Sequence, residues 1–402
     1  DHMHAAIAVR AMKMGIHVYV QKPLVRTLWE SKYFGDVAKE YGGVTQLGNQ
    51  GSGGQGFRRN VEVVQSGILG DVKEVHVWTN RPIWPQGFSA MKAATTRDIV
   101  AVPEGLDWNA WLGVAKYRNY KGAYKPGEKG YDPWNLCSGV YHSFSWRGFR
   151  DFGCGAFGDM ACHILHCVYK GLNLGYPTKV QGTSTLLLNE SCPNAQKIKF
   201  IFPARDNMPK VAMPEVEVHW YDGGLKPIRP EGIPDGVDLN IHGGGVIFYG
   251  SKDTLIVGCY GDEPYLLSGR KPDAPKVLRR VELGHVQDWV RACKEDPSVR
   301  VPSASDFSEA GPFNEMVVMG VLAVRLQDLN MELDWDGEKM EFTNIPEDAV
   351  IRSVIHDGFT IKDGHPTFNK TYTDPVNARA FAKELIRHTY QNGYSLPEMP
   401  TE

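Results

Sequence analysis

Within the first fifty residues, two short apolar runs alternate with two helix-patterned segments. That order confines the N-terminal part of the chain to a parallel sheet covered by helices. His4 to Met14 carries apolar residues at helical spacing and stops at Gly15, a C-cap signal. Ile16-His-Val-Tyr-Val20 follows, with the length and β-branching of a buried strand. Thr27 to Tyr41 reads as a second helix, and Thr27 with Glu30 three residues on has the spacing of a capping box. Val44 to Leu47 is the next strand. A strand covered on both faces needs neighbours on both edges. The region is therefore expected to be the second half of a doubly wound domain whose first half is missing from the chain.

The pattern changes after residue 70. Val72 to Thr79 (V-K-E-V-H-V-W-T) alternates apolar and polar residues, as do Lys179 to Leu188, Lys197 to Phe202 and Val211 to Tyr221. Gly245 to Gly250 and Thr254 to Val257 flank Ser251-Lys-Asp253, a hairpin-like turn. Long alternating strands with turn signals predict a mostly antiparallel sheet with one covered face. Helices are expected at 105–113, 156–170, 283–295 and 305–328, and Pro- and Gly-rich loops between 81 and 150 join the two regimes. A last helix is expected from Asp374 to Tyr390 after a polar stretch. The expected divisions are 1–51, an α+β unit over 52–350, and a C-terminal arm over 351–402.

A chain of 402 residues can bury two substantial cores. Its formal net charge of -3 gives no basic field for nucleic acid. The seven cysteines are odd in number and contain no CxxC, so neither a disulfide framework nor a zinc site follows, and free buried thiols are expected. No apolar run reaches the roughly 20 residues needed to span a bilayer. No signal peptide is present, but the chain opens Asp1-His-Met-His4 without an initiator Met. The cytoplasm is the expected compartment, with the periplasm open if an export signal was lost upstream.

Gly51-Ser-Gly53-Gly-Gln-Gly56 matches G-x-G-x-x-G literally, between a short strand and a helix at 57–66. Two features argue against a dinucleotide turn. Gly48-Asn-Gln50 separates it from the strand, and the candidate acid, Asp71, precedes the next strand instead of ending it. A glycine-rich border to a site is the better reading.

Asp159 and His163 stand four apart in Gly153-Cys-Gly-Ala-Phe-Gly-Asp-Met-Ala-Cys-His163. On a helix they lie one above the other, so one site receives both a carboxylate and an imidazole. An imidazole can take a proton from a hydroxyl and return it. The bland alternative is a helix-capping Asp and a satisfied core His. Asn80-Arg81-Pro-Ile-Trp84-Pro-Gln86 and Ser145-Trp146-Arg147 are candidate substrate walls. Arg offers donors for hydroxyls and Trp a ring face for C–H surfaces; loop packing is the competing reading. Tyr141 and His142 are weaker candidates, and His2 and His4 could border a cofactor, although His2 could equally be exposed.

Gln21-Lys22-Pro23, right after a strand, is similar to the Glu-Lys-Pro signature of the Gfo/Idh/MocA oxidoreductases. Asp1-His-Met-His4 resembles the segment at the end of that family's fourth strand, and Gly153 to His163 its glycine-rich Asp-x-x-x-His helix. Ser305-Asp-Phe-Ser-Glu-Ala-Gly-Pro312 and Leu333-Asp-Trp-Asp336 resemble its C-terminal region. The resemblance extends to about residue 350. Three departures stand out: Gln21 for the usual Glu, Ala161 for a Gly, and His166 where an Asp often follows.

The resemblance implies an α/β plus α+β fold. It would be the C-terminal half of a Rossmann doubly wound domain followed by an α+β domain with a large, mostly antiparallel open sheet. It implies NAD or NADP as cofactor, bordered by His4, Gln21, Lys22, Pro23, Asn49 and Gln50. It implies catalysis by Lys22, Asp159 and His163 on a sugar, cyclitol or glycoside, for which Arg81, Trp84, Trp146 and Arg147 are the candidate walls. His163 would take the hydroxyl proton, Asp159 orient the substrate or imidazole, and Lys22 stabilise alkoxide charge. No metal, nucleic acid or membrane is expected as a partner, and homo-oligomerisation through the open sheet is. Two alternatives use the same residues: glycoside cleavage by oxidation, elimination and re-reduction, or a truncated homologue without catalysis. On the truncated reading the chain by itself would hold NAD poorly.

Overall fold

The computed structural model describes residues 1–134, 136–206, 213–239, 243–261 and 263–397. α1 (His4–Lys13) buries Ala5, Ala8, Val9 and Met12, and the chain turns at Gly15 with φ +75°. β1 (Val18–Gln21) follows. α2 (Leu28–Tyr41) starts on the expected capping box: the Thr27 hydroxyl accepts from the Glu30 N–H, and Glu30 Oε2 accepts from the Thr27 N–H, each at 3.1 Å. β2 (Thr45–Gly48) pairs parallel with β1, Val18 against Thr45 and Gln21 against Gly48. Val9, Val20, Phe34, Val37 and Leu47 form the core here, closed by Phe307 and Ala310 from far along the chain. The free edge of β2 is met by that distant segment, not by a strand. The Leu47 N–H donates to Ser305 O at 2.8 Å, Ser303 Oγ donates to Thr45 O at 2.7 Å, and Thr45 Oγ1 accepts from the Phe307 N–H at 3.0 Å.

The chain continues through α3 (Gln55–Gln65), β3 (Val72–Thr79), α4 (Phe88–Thr96), α5 (Trp108–Leu112) and α6 (Gly155–Gly171). Next come β4 (Lys179–Ser184), β5 (Gln196–Phe202), β6 (Val216–Tyr221), β7 (Gly244–Gly250), β8 (Thr254–Gly258) and β9 (Tyr265–Leu266). α7 (His285–Lys294) and α8 (Phe307–Arg325) precede β10 (Leu333–Asp336), β11 (Glu341–Phe342), β12 (Val350–Ile351), β13 (Val354–Lys362), β14 (His365–Tyr372), β15 (Val376–Asn377) and α9 (Ala378–Ile386).

Nine strands form one mixed sheet in the order β11-β10-β4-β5-β6-β3-β7-β8-β9. Its pairs are antiparallel except β3 with β6, which run parallel with His76 opposite His219. Alternation places Val75, Val77, Phe200, Val218, Trp220, Val246 and Phe248 on one face, under Phe157, Ile164, Leu165 and Val168 of α6 and Val317 and Val324 of α8. Fully burying such a side chain contributes roughly 1.5–3 kcal/mol. A one-residue slip would turn the whole set away from the helices, so this face fixes the register.

Several sequence expectations need correction. The sheet is mostly antiparallel, as expected, but alternation does not encode strand direction and gave no sign of the parallel β3–β6 pair. Residues 81–150, expected as loops, include α4. The strand expected over 179–188 ends at Ser184, because Leu188 leaves the sheet to bridge Val354. Of the strand expected over 211–221, residues 211–212 lie outside the described residues, and β6 begins at Val216. The polar stretch before the last helix contains the β13–β14 hairpin, whose side chains are almost all exposed; no buried face marked it in the sequence. The last helix is accordingly shorter, and its Ala378, Ala382, Leu385 and Ile386 join the main core. The Ser251–Asp253 turn joins β7 and β8 as expected, with the Gly250 N–H donating to Asp253 O at 3.0 Å. No disulfide joins the cysteines, six of which are buried. Among the described residues no helix is long and apolar enough to cross a membrane.

Candidate active site

The carboxyl ends of β1 and β2 face the N-terminal half of α6. Two glycines let other segments close on the start of α6. A Cβ on Gly153 would stand 2.7 Å from the Arg147 Cα and carbonyl oxygen, and Gly155 has φ +65° with Cys192 where its Cβ would be. The Arg147 loop therefore folds directly against the start of α6. Pro23, joined to Lys22 by a cis peptide bond, packs toward Gly158.

Lys22 Nζ donates to Asp159 Oδ1 at 2.7 Å, and Arg147 Nε lies 3.4 Å from the same oxygen. The side chains keep 18%, 14% and 22% of their exposure, so the ion cluster is sheltered but reachable. Arg147 is held from behind: its guanidinium lies 3.8 Å from the Phe144 ring centroid and 4.4 Å from that of Trp146. Burial lowers the Arg147 pKa, and the Asp159 charge opposes that shift.

His163 is one turn along α6. Its Nδ1 is buried without a hydrogen-bond partner, and its ring meets the edge of Tyr260 at 5.5 Å. Burial, then the Lys22 charge, lowers the imidazole to about 3, so it is neutral at neutral pH. Tyr260 also packs over Gly51, where a Cβ would come within 3.3 Å of its ring. Burial raises the Tyr260 phenol, and the nearby Arg81 charge opposes that rise. Tyr260 carries no spacing signal in the sequence; only its position just past a strand end could have suggested it.

The polar stripe on α6 continues through His166 and Lys170, at the same helical spacing. His166 Nδ1 accepts from Asn49 Nδ2 at 3.0 Å, which leaves Nε2 protonated to donate to Glu309 Oε1 at 2.6 Å. Lys170 pairs with the other oxygen of Glu309. Burial alone would raise the Glu309 carboxyl, but the hydrogen bond from His166 and the Lys170 ammonium outweigh it and hold it at about 2.

The structure brings Lys22, Asp159, His163 and Arg147 together, with Trp146 against Arg147. It does not bring all the expected residues to the same place. Trp84 is 5% exposed and donates its indole N–H to Gln86 Oε1 at 2.9 Å; it backs Phe144 and is a wall to nothing. Asn49 is buried and spends its amide on Cys162 O and His166. His4 Nδ1 donates to the Pro23 and Leu24 carbonyls at 2.9 and 3.1 Å, bracing the turn after Lys22. His2 is buried against Trp111 and Phe152, not exposed. Gln21 is exposed and lies across Gly48, Gln50 is exposed, and Arg81 bonds Asn80 near Tyr260. Gly51–Gly56 begins as a 3₁₀ turn with Gly53 pressed against His285. Gly51 and Gly53 admit the rings of Tyr260 and His285 at close range, and through Tyr260 the loop borders His163.

Two cavities lie elsewhere. One of about 510 Å³ separates α2 from Arg300 and Phe307, and one of about 580 Å³ separates the start of α2 from residues 387–397. Neither is lined by Lys22, Asp159 or His163, and neither gathers comparable chemistry.

No protein-family model matches the chain, and no curated protein matches it. Its shape is similar to several solved structures. The WlbA dehydrogenase from Bordetella pertussis, in complex with NADH and UDP-GlcNAcA, is 13% identical over 83% of this chain and 76% of that one, with a TM-score of 0.49. An NAD binding oxidoreductase from Klebsiella pneumoniae is 14% identical over 83% and 77%, with a TM-score of 0.47. An NAD-binding protein from Listeria innocua is 12% identical over 83% and 79%, also at 0.47.

Proposed function

We propose that this protein is an oxidoreductase of the Gfo/Idh/MocA type that moves a hydride between NAD(P) and a hydroxyl-bearing carbon of a sugar-like substrate. The observation that carries the reading is the convergence of Lys22, Asp159 and His163 at the carboxyl end of a parallel strand pair. Ligands of open α/β sheets bind outside that end. The residues present suit the ring end of such a cofactor. A neutral imidazole with an unpartnered buried nitrogen and a sheltered ammonium stand beside one another, both next to Asp159. The pyrophosphate end finds no cradle at Gly51–Gly56. When bound, a nicotinamide accepts or returns the hydride.

The protein's own part is proton handling and orientation. His163, neutral in the free enzyme, takes the hydroxyl proton as negative charge develops on the substrate oxygen, and returns it in reduction. Lys22 Nζ, one hydrogen bond from Asp159, stabilises that developing alkoxide. Asp159 keeps Lys22 and Arg147 aimed at one point. Arg147, braced on two rings, offers donors to a polyol, and Trp146 a face.

The test is absorbance at the reduced-nicotinamide band. The chain is mixed with millimolar NAD+ or NADP+ and a panel of free sugars, sugar nucleotides and aryl glycosides, beside His163→Gln. A steady rise that the variant lacks supports the reading. Aglycone release at catalytic cofactor, without net absorbance change, would shift the same site to oxidation, elimination and re-reduction. No turnover and no cofactor binding would sink both.

A further inference from the structure

The tripeptide Glu-Val-His occurs twice, as Glu74-Val75-His76 and Glu217-Val218-His219. The parallel pairing of β3 and β6 sets the two copies in register, Glu74 beside Glu217 and His76 beside His219. Side chains two apart share a sheet face. Val75 and Val218 therefore go into the core, while both Glu–His pairs rise on the face turned away from α6 and α8.

We propose that Glu74, His76, Glu217 and His219 form a second site, for one divalent transition-metal ion of the zinc class. One donor atom each from Glu74, His76 and His219 lies within 4.8 Å of the others. Glu74 Oε1 is 2.6 Å from His76 Nε2 and 4.0 Å from His219 Nε2, and Glu217 Oε2 is 3.1 Å from His219 Nε2. A tetrahedral ion about 2.0–2.2 Å from each donor spaces them roughly 3.3–3.6 Å apart. Small rotations of the two half-exposed glutamates reach that spacing, while the histidines are already fixed. Their rings stack at 4.8 Å with 19° between planes, a poor arrangement for two imidazolium charges, and a tilt of the rings toward each other's Nε2 aims both lone pairs at one ion. The far nitrogen of His76 is also held: Nδ1 is 3.0 Å from the Tyr221 hydroxyl. Nε2–H donates to Glu74 Oε1 at 2.6 Å with the Tyr221 hydroxyl on Nδ1; an ion that displaces the Nε2 proton takes its lone pair, and a proton on Nδ1 then donates to the Tyr221 oxygen. Ligating histidines are oriented in this way by a hydrogen bond on the second nitrogen. Imidazole with carboxylate suits zinc, copper, nickel or iron over magnesium and calcium. The site is separate from Asp159 and His163, which occupy the helix layer behind the opposite face.

The experiment uses the full chain after chelator treatment, titrated with Zn²⁺ alone by calorimetry, and with Co²⁺ by visible spectroscopy. One ion per chain is expected, with Co²⁺ bands in the visible and no thiolate charge-transfer band. His219→Gln and Glu74→Gln should each weaken binding at least about tenfold. Glu74 is half exposed, so its variant carries the test even if the His219 variant folds poorly. Absence of binding, a thiolate band, or affinity unchanged in Glu74→Gln overturns the proposal.

Discussion

At Asp159 a single carboxylate oxygen serves two cations, and the imidazole one turn away is kept neutral by burial and by one of them, Lys22. His163→Gln cannot take a proton, so kcat should fall by about 10²–10⁴-fold while the melting temperature holds; an active variant would remove His163 from the chemistry. Lys22→Met tests the electrostatics separately. Losing the ammonium should move the His163 titration up from about 3 toward its ordinary value, followed by the ring resonances in NMR. No movement would mean that the Lys22 charge is not felt at the ring. That Lys22 lies beside Asp159 and His163 was legible from the i, i+4 spacing of the pair and from the resemblance of Gln21-Lys22-Pro23 to a family signature. Trp84 and Asn49 misled for the opposite reason: a side chain's type says what it can bind, not whether Gln86 or His166 has already taken its donors.

At the level of elements, α8 does more for the site than its sequence suggests. Asn314 on α8 accepts from the Leu24 N–H at 2.9 Å and donates to Val25 O, holding the turn after Lys22, while Glu309 holds His166. The helix rests on β4 at Gly182, where a Cβ would lie 2.5 Å from the Val324 backbone nitrogen. Backbone cannot step aside as a side-chain tip can, so Gly182→Ala should cost about 1–3 kcal/mol in thermal or urea unfolding. Gly175→Ala, with nothing within 4 Å, is the control and should stay within about 0.5 kcal/mol. Equal losses in the two variants would mean that α8 and β4 are not in such close contact. Helix and strand positions were read well where one face is buried, as in α2, α6, β3 and the β7–β8 hairpin. They were missed where none is, as in β13–β14. The parallel β3–β6 pairing could not be read at all, because strand direction depends on how distant segments assemble and not on any local pattern.

At the scale of the molecule, sheltered neutral histidines tie distant segments together. His4 braces the Lys22 turn, His166 joins Asn49 to Glu309, and His285 Nε2 donates to Leu47 O at 2.8 Å. The partners lie tens to hundreds of residues away in sequence, which is why composition and spacing did not reveal this network. It carries a consequence for acid stability. Burial lowers His4 and His163 to about 3, against 6.5 for a free ring, and lowers His166 and His285 in the same direction. Between about pH 6.5 and 3 the unfolded chain therefore binds more protons than the folded one, and stability falls as the pH falls. Each ring held fully neutral in that window contributes up to about 1.4 kcal/mol per pH unit. Glu309, depressed to about 2 from 4.5, adds a loss of the same sign that begins only below about pH 4.5. Asp222 and Glu315, which burial raises to about 7 and about 8, take protons in the folded chain over the same range and offset part of this loss. Thermal melts followed by circular dichroism should thus show the histidine loss prevailing, a melting temperature that drops from pH 6.5 to 4.5, before Glu309 contributes. His163→Gln, with no ring to charge, should shallow that slope. An identical pH slope in His163→Gln and the unsubstituted chain would mean that this ring is not held neutral, and that its surroundings are looser than its burial implies.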